Sequence, residues 1–120
     1  MELEAMKQAV ISALEDIKAK DIVVLKVSHL TSMTDYMIIA TGDSNRQTRA
    51  LANNVLVKLK EQGAEVLGVE GEDSGEWVLV DLGPVVVHIM QPSTREHYNL
   101  EQLWGAGRRH GQPLAGQTNV

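Results

Sequence analysis

Four carboxylates, Glu70, Glu72, Asp73 and Asp81, crowd into one short stretch of this chain. Acidic clusters of that kind can hold Mg²⁺ for phosphoryl or nucleotidyl transfer, but the side chains must converge on the ions. A strand-borne Asp-x-Asp would achieve that, and the sequence has none. Glu70-Gly71-Glu72 has the spacing but sits in a glycine-bearing loop, so no metal site is assigned. A second candidate is Thr41-Gly42-Asp43-Ser44-Asn45-Arg46, where free N–H groups at a helix start could hold a phosphate. Neither a full phosphate-loop pattern nor GxGxxG is present, and a capped helix start with Arg46 facing solvent is the simpler reading. Of the histidines His29, His88, His97 and His110, no pair has zinc spacing. Only His88 falls on an expected strand, between Val87 and Ile89, and it reads as a buried, hydrogen-bonded structural residue. A Ser44–His88–Asp35 triad can be drawn on paper, but Ser44 is wanted as a cap and no nucleophile elbow surrounds it. No catalytic, cofactor-binding or metal-ligating residue is assigned. The alternative kept open is a nucleotide-binding or nucleotidyltransferase-like enzyme using Ser44, Arg46 and the acidic loop.

The aromatic residues point elsewhere. The chain has two Trp, two Tyr and no Phe. Trp77 stands beside the acidic loop Glu70–Glu76, at a strand entrance, where one edge of the indole is expected to stay accessible. Aromatics next to charge are where binding energy concentrates at protein interfaces. The net charge of −5 argues against gripping a nucleic-acid backbone, which needs Lys and Arg clusters, and favours a basic protein as partner. With 120 residues, 43% of them hydrophobic and 22% charged, the chain is long enough for one domain with a real core. Without cysteine it has no disulfide or thiolate chemistry. The acidic start is unlike a signal peptide and no apolar run approaches a membrane span, so a soluble cytoplasmic protein is expected.

The elements that must position these groups follow from periodicity. Leu3, Met6, Val10, Leu14 and Ile17 form one stripe, which predicts a helix over 2–19. Ile22–Val27 and Asp35–Thr41 are continuous, β-branched runs and predict buried strands. Ser44 with Gln47 three residues on forms a capping box for a helix to about Gln62, with Leu51, Val55 and Leu59 inward and Gly63 at its end. A short strand is expected near Glu65–Val69. Trp77–Asp81 and Val85–Met90 then form a hairpin through Leu82-Gly83-Pro84, covered on both faces. Pro92 and a second box, Ser93 with Glu96, open a short helix carrying His97, Tyr98, Leu100, Leu103 and Trp104. The domain is expected to span 1–104, with 105–120 a flexible tail rich in glycine. The resulting class is α/β (α+β), a five-stranded mixed sheet with helices packed on it.

Five runs also carry a resemblance. Thr34 to Gln47, Gly68 to Gly71, Trp77 to Gly83, Val85 to His88 and Arg95 to Trp104 together resemble the ribosomal silencing factor family, RsfS or Iojap, over about residues 5–104. The resemblance implies a nucleotidyltransferase-like fold without catalysis. It further implies binding to the basic ribosomal protein fourteen of the large subunit (uL14), at the subunit-joining face. Blocking association with the small subunit would repress translation when nutrients are scarce. The resemblance also implies a possible homodimer when free. On this reading Glu70, Trp77, Asp81, Leu82, Met90 and Tyr98 line the docking face, with no membrane and little direct nucleic-acid contact.

Overall fold

The computed structural model describes residues 1–104 and 108–109. Its elements run α1 (Leu3–Asp16), β1 (Lys20–Lys26), β2 (Tyr36–Thr41), α2 (Asn45–Glu61), β3 (Gly68–Glu70), β4 (Trp77–Asp81), β5 (Val85–Met90), α3 (Pro92–Tyr98), α4 (Leu100–Leu103) and β6 (Arg108–Arg109). Five strands make the mixed sheet, and the two-residue β6 extends it past β1, in the order β3-β4-β5-β2-β1-β6. Among the described residues only β2 and β5 run parallel, joined by a crossover through α2, β3 and β4; the other neighbours are antiparallel. The tail expected from Gly105 onward otherwise lies outside the described residues. Among the described residues, no helix is long and apolar enough to cross a membrane.

The apolar stripe of α1 and that of α2 face the same side of the sheet. Val10, Leu14, Leu51, Val55 and Leu59 meet Ile38, Val78, Val80, Val85, Val87 and Ile89 there in one continuous core. Ser44 caps α2 as expected, its hydroxyl accepting the Gln47 backbone N–H at 3.1 Å. The reciprocal arm differs from the expected box: Gln47 Oε1 accepts from the N–H of Asp43, one residue further back, at 2.7 Å. Its amide nitrogen is then free to donate to the carbonyls of Ile17 and Lys18, which ties the start of α2 to the end of α1.

Three local expectations are corrected. α1 stops at Asp16 rather than running to 19. Lys18 turns left-handed (φ 61°), and the N–H groups of Lys18 and Ala19 close back on Glu15 and Leu14. The last helix starts with Pro92 at its first position and no side-chain cap, so the Ser93…Glu96 box is not used. It also divides in two, because Asn99 takes a left-handed conformation (φ 37°) and recaps α4 by accepting the Gln102 N–H.

The hairpin falls where expected, and Gly83 (φ 86°) makes the reversal with its N–H held by Asp81 Oδ1 at 2.9 Å. Its two faces are not equally covered. Val78 and Val80 are fully buried under the helices, whereas Trp77, Leu79 and Asp81 are only half-buried.

Candidate functional site

Side chains alternate along a strand, so Trp77, Leu79 and Asp81 share the side of β4 away from α1 and α2. Register extends that side across the sheet. Trp77 lies opposite Met90, Leu79 opposite His88, and Asp81 opposite Val86, while Glu70 on β3 pairs with Leu79. The last helices cover only the other end of this face, where Leu100 and Trp104 pack over Val23, Leu25, Val27, Met37, Ile39 and Met90. Toward β3 and β4 the face retains solvent access. It presents Glu70, Leu79, Asp81 and Val86, bordered by the rings of Trp77 and Tyr98. Those two rings sit 4.9 Å apart at 47°, and Tyr98 is 52% exposed.

The aromatic border is held from beneath by buried polar groups. The Trp77 indole N–H donates to His88 Nδ1 at 2.9 Å. Burial of His88 pushes its pKa down to about 4, so the imidazole is neutral and able to accept. Tyr98 rides on α3, which Arg95 anchors. Arg95 Nη1 donates to the Asp21 carbonyl at 2.6 Å and to Thr41 Oγ1 at 2.7 Å, and Nε pairs with Glu101 at 2.8 Å.

The acidic loop ahead of β4 is also fixed. Arg49 on α2 donates to the carbonyls of Glu72 (2.7 Å) and Asp73 (2.5 Å), and Thr48 donates to that of Gly75 at 2.5 Å. Gly71 (φ 87°) approaches so closely that a Cβ there would lie 1.9 Å from the Trp77 carbonyl oxygen. With its backbone pinned, the loop presents the carboxylates of Glu70, Glu72 and Asp73 to solvent.

Of the six residues expected to line a docking face, Glu70, Trp77, Asp81 and Tyr98 come together with accessible surface. Leu82 and Met90 do not: they are 3% and 0% exposed. Leu82 turns back under the helices, and Met90 lies beneath the last helical segment with Leu100. Sequence reasoning missed Leu79 and Val86, although the period of two that groups Trp77 with Asp81 also selects Leu79.

The other chemical candidates are not assembled. Ser44 Oγ is engaged as the cap, and Asp35 precedes β2 while Ser44 follows it, so they stand at opposite ends of that strand. Arg46 is exposed. Asp43 holds Lys20 at 2.6 Å, at the mouth of a crevice of about 350 Å³ that also reaches Arg95, Glu96 and Glu101. An anion entering there would meet more carboxylates than cations. Among the described residues, no three His, Cys, Asp or Glu side chains gather as a metal-binding group. His110 lies outside the described residues.

Residues 1–119 match the model of a family described as "Ribosomal silencing factor during starvation". A ribosomal silencing factor from Chromobacterium violaceum is 59% identical over 105 residues, covering 88% of this chain and 86% of that one. A crystal structure from the same organism superposes with a TM-score of 0.85 at 59% identity, covering 87% of each chain. A mouse relative named "Mitochondrial assembly of ribosomal large subunit protein 1" is 40% identical over 98 residues, covering 78% of this chain and 42% of its own. Sequence and fold thus agree along nearly the whole length, and the chain belongs to the ribosomal silencing factor (RsfS) family.

Proposed function

We propose that the half-open sheet face docks on ribosomal protein fourteen of the large subunit (uL14) and keeps the small subunit from joining, which represses translation under nutrient limitation. The observation that carries this reading is the Trp77–Tyr98 pair ringed by Glu70 and Asp81 on a pinned, acidic surface. An indole and a phenol supply apolar area at low entropic cost, and carboxylates around them favour a basic protein and steer its approach. The family description supports a silencing role on the ribosome, and the name of the mouse relative supports the large subunit as the target. With this reading go a homodimer when free, action in the cytoplasm, and no catalytic step.

The test is capture of uL14 and of isolated large subunits by folded Trp77→Ala and Asp81→Lys variants. Trp77→Ala should cost at least ~2 kcal/mol of binding if the indole is a hot spot. Asp81→Lys reverses a charge facing a cationic partner and should slow association, most strongly at low salt. Undiminished binding by both variants would move the interface elsewhere. For the enzymatic alternative, saturable Mg²⁺-dependent heat on titration with ATP is the signal that would revive it.

A further inference from the structure

We infer that His88 is a positioning residue for docking: its Nδ1 locks the Trp77 indole in the orientation that, with Tyr98, presents a ready-made aromatic anchor. The inference rests on the docking reading given above.

Indole nitrogen is a donor only, so Nδ1 of His88 must be the acceptor in the 2.9 Å bond, and the imidazole proton sits on Nε2. His88 is 6% exposed on β5, directly opposite Leu79, and thus lies under the open face rather than on it. The two rings are 5.8 Å apart and tilted at 46°, so the bond comes with little stacking. Trp77 needs such a bond because its strand position leaves it half-buried, with one edge committed to the sheet and the other offered to Tyr98 and solvent. Without an acceptor, the N–H would be stranded against apolar neighbours, and swinging the ring outward to reach water would break the pair with Tyr98. A large side chain already held in its bound rotamer loses less freedom on association. The burial of an imidazole between Ile39 and Leu79 is a cost that an apolar residue at 88 would not carry, and a held indole is what that cost secures.

Two substitutions separate positioning from packing. In His88→Asn the amide oxygen replaces Nδ1 at the same point along the side chain, so the acceptor is kept. In His88→Leu a residue of comparable bulk removes it. Sedimentation with isolated large subunits should show His88→Leu binding about tenfold more weakly than the parent, and His88→Asn within about threefold of it. The indole proton of Trp77, identified by its loss in Trp77→Phe, should move upfield and exchange faster with water in His88→Leu but not in His88→Asn. In a Trp77→Phe background, which has no N–H to hold, His88→Leu should add no further loss. A folded His88→Leu protein that binds like the parent overturns the inference. An equal tenfold loss in the Trp77→Phe background also overturns it, because the effect would then be packing alone. Failure of the docking reading looks different: there Trp77→Ala itself binds undiminished, and the inference falls with it.

Discussion

The two faces of the sheet are built on different principles. Under α1 and α2 the strands bury Ile38, Ala40, Val78, Val80, Val87 and Ile89 against Leu, Val and Ala, and the buried polar side chain there, Thr48 of α2, donates to the carbonyls of Asn45 and Gly75. On the opposite face Thr41, His88 and Arg95 are buried too, and each donates or accepts within a network that ends at Trp77 or at the helix bearing Tyr98. Apolar packing is tolerant of detail and gives stability, whereas buried polar groups demand defined partners and so fix geometry. One face keeps the chain folded; the other holds two aromatic rings in place.

The sharpest way to test that division is to damage the closed face alone. Leu51→Ala opens a cavity at a fully buried position and should lower unfolding free energy by about 2–5 kcal/mol in denaturant titration. The variant that remains folded should still hold the large subunit with unchanged affinity. Acid provides the complementary probe, since His88 sits on the other face. Its pKa is about 4 when folded and near 6.5 when unfolded, so below 6.5 the unfolded chain binds a proton that the folded one refuses. Stability from this group is fully present above pH 6.5 and erodes as the pH falls toward 4, by about 3 kcal/mol in all. His88→Asn should remove that part of the pH slope, and an unaltered slope would place the acid sensitivity elsewhere. The smallest effect belongs to the frame around the closed face. Ser44→Ala leaves the first turn of α2 uncapped and should cost about 1 kcal/mol in the same titration, with no change in binding.

Most of the architecture was legible in the chain. The runs Trp77–Asp81 and Val85–Met90 became strands with those bounds, because Gly83 and Pro84 leave the backbone little other choice. The Ser44 cap was equally local and equally readable. What failed depended on contacts between distant segments. Alternation shows which residues share a side of a strand, but not which segment later covers that side. Met90 therefore looked available until Leu100 and Trp104 were seen packing with it, and Leu82 until the turn folded it inward. The Ser93…Glu96 pattern matched a cap, yet Pro92 already fixed the start two residues earlier, at Gln91. His88 was rightly read as buried and bonded, but nothing in the sequence names Trp77 as the donor.

The parallel seam between β2 and β5 has a consequence for the timing of assembly. It matches residues 36–41 with residues 85–90, so the middle of the sheet stays unzipped until everything between has been made. On the translating ribosome the N-terminal helix and first two strands emerge long before their central neighbour. A half-finished copy thus lacks both the Trp77–His88 bond and the Trp77–Tyr98 pair, which wait on residues 88 and 98 to be added and folded into place.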